Sequence, residues 1–442
     1  MKLLFMDEKG PQNSFKISSP FNKTDKLSYA NDNMHSYVAN VIQIDELYYI
    51  LIEQKYQEIV EEYLSNRPQL RESLAKNGKE LKGLNLLKSN FEYGIASMKK
   101  NEVKFYMNLL DLLLEYNVEN LLFLVSKVSI ITSSRLINFL YFLDSKTVFS
   151  AFIVKYVVTK YAEVEASEEV IKALLDKSMS TKNILELIRN DMTTISRENL
   201  GNARMSRQIG IYNLVIMAID LVLNCGTELT EPNLPLSFDW SKVKWAFDLW
   251  MTEQRYTGTE NQWRLFLDEG IPQDIFTSLD FYQVDGDCNS RDYIGLQITD
   301  MIVVLIGKLV SQLNLKTKYD FERPDQRILL CDDYYNFSEE QFNFIKKLQQ
   351  FILDRNGQYH FINDAYFDDS VLLETYIRYI SSYDTFENYN KVEVKRHSEL
   401  HMAYFIRNSD MKFKEGIETE ALAKEFYGTI KAAVEAEMFR PL

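Results

Sequence analysis

The chain opens with Leu3-Leu4-Phe5-Met6-Asp7-Glu8-Lys9-Gly10, an unbroken apolar run that stops abruptly at charge and glycine. Such a run reads as a strand buried on both faces with a turn after it, which sets two carboxylates, Asp7 and Glu8, at the strand's end. Downstream, Ser36 to Ile44 is β-branched and flanked by polar residues, so it is predicted to pair with the first strand as a wide hairpin. Leu47 to Leu64 and Glu102 to Glu115 carry helical spacing, and Asn120 to Ser129 is strand-like, with a helix as the alternative reading.

From Ser134 to Asn224 the pattern is helical, with Leu136, Phe139, Leu140 and Leu143 on one face and Ile184, Leu187 and Ile188 on another. Pro232 and Pro235 break the chain, so residues 134–235 are expected to form a helical insertion. The aromatic stretch Val243 to Met251 is predicted to be a strand with Asp248 in its middle, and Ser278 to Val284 another. Tyr293 to Leu313 reads as a long apolar helix interrupted by Gln297, Asp300 and Lys308. Past Asn314 the composition turns to Asp, Tyr and Phe, with helices expected near 338–354, 370–382 and 419–439. The first of these opens on a Ser338/Gln341 capping-box spacing. The expectation is an α/β chain: a mixed-sheet domain over 1–313 and a separate C-terminal helical unit over 314–442.

Composition narrows the function classes. With 50 Lys plus Arg against 64 Asp plus Glu the net charge is −14, so the surface as a whole repels nucleic acid and anionic membranes, and a nucleic-acid partner requires a local basic patch. Lys76, Lys79, Lys82, Lys88, Lys99, Lys100 and Lys104 offer one, although a solvated helix face is the commoner cause of such a run. Cys225, Cys288 and Cys331 lie far apart without CxxC spacing, which fits a reducing compartment, and the cytoplasm is the expected location. The apolar runs Leu214–Leu223 and Met301–Val310 are shorter than a spanning helix needs and read as core helices, so no membrane association is expected.

Several chemistries lack their residues. There is no Gly-rich phosphate loop, no Gly-x-Ser-x-Gly and only 4 histidines. Asp285, Asp287 and Asn289 imitate half a calcium loop, but Ser290 and Leu296 stand where Gly and the closing acid belong. His397 and His401 are four apart, but the order His-Ser-Glu-Leu-His does not match a zinc protease, and a surface or interface pair is the reading.

Carboxylates remain. Two-metal phosphodiester hydrolysis needs three or four of them held rigidly near one point, and strand ends or a helix face against a sheet supply that rigidity. Asp7 and Glu8 end a central-looking strand, Asp248 lies among aromatics where burial demands a partner or a metal, and Gln297 and Asp300 share one face of an otherwise apolar helix.

Three short motifs, Met6-Asp7-Glu8-Lys9-Gly10, Glu80-Leu81-Lys82-Gly83 and Gly295-Leu296-Gln297-Ile298-Thr299-Asp300, occur in an order that resembles the bacterial family catalogued as domain of unknown function three thousand eight hundred. The resemblance covers residues 1 to about 313. It implies a ribonuclease-H-like fold and a Mg2+- or Mn2+-dependent nuclease with Asp7, Asp248 and Asp300 as metal ligands. It further implies that Glu80 completes the site, and that Gln297, Lys82 and Glu8 serve substrate binding or support. A role in anti-phage defence is implied as well; in such a role the C-terminal helices, which lie outside the resemblance, are expected to recruit a partner or restrain the nuclease, and a protein partner or homo-oligomer is expected. Lys9 stands where the family has a small residue, Thr299 where it has Ala, and Gly286-Asp287 where it has Ser-Lys. Lys9 beside the carboxylates points to the alternative class, a non-catalytic interaction or regulatory protein on a degenerate core.

Overall fold

The computed structural model describes residues 1–9, 15–22, 25–29, 34–87, 91–202, 205–226, 229, 240–257, 263–277, 282–316, 330–354, 361–363, 369–436 and 438. In chain order the elements are β1 (Lys2–Lys9), β2 (Phe15–Asn22), β3 (Asp25–Tyr29), β4 (Ser36–Asp45), α1 (Glu46–Ser65), α2 (Pro68–Lys76), α3 (Gly83–Leu86), α4 (Lys100–Glu115) and β5 (Glu119–Ser126). Then come α5 (Lys127–Lys146), α6 (Ala151–Val164), α7 (Glu168–Leu175), α8 (Thr181–Glu198), α9 (Ser206–Asn224), α10 (Trp240–Thr257), β6 (Trp263–Asp268), α11 (Gln273–Phe276) and β7 (Tyr282–Cys288). The chain closes with α12 (Ile294–Lys316), α13 (Glu339–Ile352), β8 (Phe361–Asn363), α14 (Asp369–Ser381), α15 (Phe386–Asn390), α16 (Val394–Tyr427) and α17 (Ile430–Glu435). This is a mixed α/β chain, as expected.

Two compact units divide it. The first comprises Met1–Gly10, Ser36–Val125 and Val243–Ser409, and the second Pro11–His35, Ser126–Lys242 and Asp410–Leu442. The expected insertion at 134–235 lies inside the second unit, which also takes in residues 11–35 and the last 33 residues. The expected boundary at 313/314 is not a unit boundary. Residues 314–409 belong to the first unit, where β8 joins the sheet and α13 and α14 pack on α4 and α12. Composition changes at that point, but the apolar faces of these helices bury against the same core.

In the first unit a six-stranded sheet runs in the order β7-β6-β1-β4-β5-β8. β1 pairs antiparallel with β4 and parallel with β6, and β7 extends the parallel edge. Leu4, Phe5 and Met6 are fully buried, as a central strand covered on both faces requires. The hairpin of β1 and β4 is therefore as predicted, although the residues between them hold the β2/β3 ribbon of the second unit. Helix α12 lies on β1 and β4. Its approach is so close that a Cβ on Gly295 would come within 2.2 Å of the Phe5 ring.

Three local expectations meet the structure differently: two are corrected and one is borne out over its described residues. Val243–Met251 is helix α10, not a strand: Trp240, Val243, Ala246, Phe247, Trp250 and Met251 are buried at three- and four-residue spacing, and that period overrides the β propensity of Trp and Phe. The strand placed at 278–284 is β7, starting at Tyr282, with 278–281 outside the described residues. The helix placed at 419–439 is the end of α16 followed by α17, separated by Gly428 at positive φ.

The second unit is helical around the β2/β3 ribbon. Its core takes Leu136, Phe139, Leu140 and Leu143 of α5 together with Ile184, Leu185 and Ile188 of α8. By length and composition α9 and α12 are both apolar enough to cross a membrane, longer than the runs counted in the sequence. Nearly all of α12 is buried in the first unit, whereas less than a third of α9 is covered.

Candidate functional site

Parallel pairing of β1 and β6 places Leu4 beside Leu265, Phe5 beside Phe266 and Met6 beside Leu267, so Asp7 and Asp268 end neighbouring strands. The two aspartates share a side-chain hydrogen bond. Phe5 and Phe266 stack at 5.0 Å, with Tyr49 on Phe5 at 5.7 Å, which holds both strand ends in place. Asp300 arrives on α12 and accepts a hydrogen bond from the Gly83 backbone N–H at 2.7 Å through Oδ2. A Cβ on Gly83 would stand 2.7 Å from that of Val304, so only glycine lets this backbone reach the helix.

The segment before α3 brings Glu80 and Lys82. The Lys82 ammonium lies 2.6 Å from Glu80 Oε1 and donates to Ser290 Oγ at 2.8 Å, while the Ser290 hydroxyl donates to Glu80 Oε1 at 2.6 Å. Gln297 Nε2 donates to the Ser290 carbonyl at 2.9 Å, so it braces the turn between β7 and α12.

Electrostatics bind these groups into one set. Burial raises the Asp7 carboxyl well above the carboxylate range, and the charges of Asp268 and Asp300 add to that, against the Glu8 N–H and Lys82. Asp268 is raised by burial and by Asp300, opposed by Lys82 and by the hydrogen bond from Asp7. Asp300 is raised by burial, opposed first by Lys82 and then by the Gly83 N–H and Lys9. Lys82 is raised despite burial, because Asp300, Glu80 and Asp7 favour its charge. Four carboxyl groups thus crowd around Lys82 and Lys9, and the three aspartates hold their protons more tightly than exposed aspartates do.

Four expected residues meet here: Asp7, Glu80, Asp300 and Lys82, with Gln297 beside them. Glu8 contributes its backbone N–H to Asp7 Oδ1 at 2.6 Å. Lys9 acts on Asp300 by charge. Asp248 is not brought in; it pairs with Lys244 one turn earlier on α10. The carboxylate beside Asp7 is Asp268, and the sequence holds its signal: Leu265-Phe-Leu-Asp-Glu-Gly270 repeats the pattern of Leu4-Phe-Met-Asp-Glu8. Ser290 and Tyr56 were also missed. The Tyr56 hydroxyl is fully buried with no hydrogen-bond partner among the described residues, and burial with the charges of Asp300 and Glu80 pushes its pKa up. Of the lysine run, Lys104 pairs with Glu62 and Lys100 with Glu340, Lys76, Lys79 and Lys99 are exposed, and Lys88 lies outside the described residues.

His397 and His401 are not at the surface. Both are buried among Tyr335, Tyr376, Tyr379 and Tyr389, with His397 Nδ1 2.8 Å from the Tyr379 hydroxyl and His401 Nδ1 2.7 Å from that of Tyr335. The residues of the half calcium loop serve the strand instead: Asp285 pairs with Arg264 at 2.6 Å. Among the described residues, no group of three or more His, Cys, Asp or Glu side chains stands in metal-ligating geometry. In comparisons with known proteins, no family model, no curated protein and no solved structure matches the chain.

Proposed function

We infer that this chain is a nuclease of the ribonuclease-H type, hydrolysing phosphodiester bonds with Mg2+ or Mn2+. The observation that carries this reading is the shared hydrogen bond of Asp7 and Asp268 at the ends of adjacent parallel strands, with Asp300 facing them from α12. Carboxyl groups forced together in this way are stabilised by a divalent cation far better than by protons.

The donors suit such an ion in chemistry, and a bound ion would draw their side chains into the ligating geometry they do not hold without it. They are all oxygens, as hard cations prefer, and Glu80 Oε2 is buried with no hydrogen-bond partner among the described residues. Asp7, Asp268 and Asp300 would hold the ion, with Glu80 completing the set. A bound ion supplies Lewis acidity toward a phosphate oxygen and a water of lowered pKa. Lys82, fixed by Glu80 and Ser290, offers a preorganised positive charge to the phosphate, and Gln297 keeps Ser290 in place. A nucleic acid is the partner this chemistry calls for.

The test is cleavage of single- and double-stranded DNA and RNA by the purified full chain with Mg2+ or Mn2+, beside Asp7→Asn and Asp300→Asn. The reading requires metal-dependent cleavage by the parent and none by the variants. Intact protein that cuts none of these substrates sinks it.

One observation favours a second reading, a regulatory protein on a degenerate core. The Lys82 ammonium already sits among the carboxylates, where it neutralises part of the charge that would draw a cation. Under that reading Asp7→Asn and Asp300→Asn keep their biological activity and their partner.

A further inference from the structure

The antiparallel register of β1 and β4 puts Asn40 directly opposite Asp7, so the two side chains stand on one face of the sheet, with Cβ atoms roughly 5 Å apart. Asn40 is 0% exposed. Its Nδ2 donates to Asn120 Oδ1 at 2.6 Å and to the Leu121 carbonyl at 3.0 Å, which uses both amide hydrogens. Turning the amide round would set its oxygen against the Leu121 carbonyl, an acceptor whichever way the Asn120 amide lies. Asn40 Oδ1 is therefore the atom left over, buried and without a partner among the described residues.

Two more oxygens in the same surroundings share that condition. The Tyr56 hydroxyl, on α1, is 0% exposed, has no partner and lies within the electrostatic reach of Asp300 and Glu80. Glu80 Oε2 is the third. A buried polar atom without a partner is costly, so three around one acidic cluster mark a place where a ligand completes the hydrogen bonding.

The chemistry of these atoms identifies the ligand class. Two accept only, and the phenol can accept as well as donate, so a bare phosphate or carboxylate has a single hydroxyl to bond with here. The outward hydrogens of water molecules around a small divalent cation suit them, and Mg2+ characteristically keeps several such waters. We propose that Asn40, Tyr56 and Glu80 receive the water shell of a Mg2+ ion held by Asp7, Asp268 and Asp300, which makes Asn40 and Tyr56 positioning residues for a partly hydrated cation. The proposal rests on the cation reading of the site and is independent of which substrate is cut.

The experiment is calorimetric titration of the full chain with MgCl2 alone, without nucleic acid, for the parent, Tyr56→Phe, Asn40→Ser and Asp7→Asn, each with a melting curve in EDTA. Tyr56→Phe removes only the unpartnered hydroxyl, so it is expected to melt no lower than the parent in EDTA and to bind Mg2+ about tenfold more weakly. Asn40→Ser is expected to weaken binding by a similar factor, and Asp7→Asn to abolish it. Should Tyr56→Phe and Asn40→Ser bind Mg2+ as the parent does while Asp7→Asn does not, the water-shell role is overturned and the cation site stands. Should the parent bind no Mg2+, both fall, whereas a failure in the cleavage assay alone leaves this result untouched.

Discussion

The carboxyl groups of Asp7 and Asp268 share one hydrogen bond at the ends of two parallel strands whose residues run in register from Leu4 beside Leu265 to Met6 beside Leu267. Two carboxyls so placed cannot both ionise cheaply, and both are raised. Asp7, 4% exposed, is the one held higher.

That arrangement sets the sign of the first prediction. Asp7, Asp268 and Asp300 all have folded pKa values raised above those of the unfolded chain. Their contribution to stability is fully present below about pH 3.8 and is lost as pH rises through the raised folded values. At neutral pH without divalent ions, Asp7→Asn therefore stabilises the first unit, by about 1–2 kcal/mol in urea titration. Addition of Mg2+ raises the parent's midpoint and leaves that of the variant where it was. A variant that unfolds at lower urea than the parent in EDTA contradicts this account.

Asp268 and Asp248 separate the structural site from the one read in the sequence. Asp268→Asn is expected to cut Mg2+-dependent cleavage on the order of a hundredfold or more, because it removes a charge from the centre of the set. Asp248→Asn breaks the pair with Lys244 on α10, a helical i,i+4 contact worth about 0.5 kcal/mol and outside the Asp7 cluster, and its turnover is expected to match the parent's. Comparing initial rates of the two variants decides between them.

What could be read in advance follows from where the physics is local. β1, β4, α1 and α12 are announced by unbroken or periodic apolar runs, and Ser338 with Gln341 makes both bonds of the capping box its spacing implies. Asp7 and Asp300 stood out because each sits at a place where a buried element meets charge, whereas Glu80 was reached only through the family resemblance of its motif. Asp268 did not, because Arg264 interrupts β6 and the aromatic stretch of α10 took the strand's place in the reading; only pairing with β1 in register makes the two Leu-Phe-x-Asp-Glu segments neighbours. Tyr56 and Asn40 carry no signal at all in one dimension, since each is an ordinary core residue until the atoms around it are counted. The second unit was legible as helices but not as a unit, because three separate chain segments build it.

Gly295 and Gly83 test how closely α12 must lie against the sheet. A Cβ on Gly295 would meet Phe5 at 2.2 Å, and Phe5 cannot yield, being stacked between Tyr49 and Phe266. Gly295→Ala is expected to cost about 3 kcal/mol, at the upper end for overpacking, and Gly83→Ala somewhat less, because its Cβ would meet Val304 at 2.7 Å and the Asp300 carbonyl at 3.2 Å rather than a ring at 2.2 Å. Chemical denaturation measures both. A Gly295→Ala protein as stable as the parent means that α12 has room to shift, and the placement of Asp300 would no longer be dictated by that contact.

The buried histidines predict acid sensitivity in the first unit. Burial lowers His397 to about 4 and His401 to about 3, both below the usual 6.5. The unfolded chain takes up their protons first, so their contribution is complete above about pH 6.5 and is lost as pH falls toward 4. Each histidine steepens the loss by about 1.4 kcal/mol per pH unit through that window. The raised site carboxyls act in the opposite sense over the same range, so the total slope is a difference, and a variant is needed to isolate the histidine part. His401→Gln keeps groups able to bond Tyr335 and Thr375 but does not titrate. Its stability curve between pH 6.5 and 4 is expected to be shallower than the parent's by one proton's worth, and identical slopes would mean that His401 carries no proton linkage to folding.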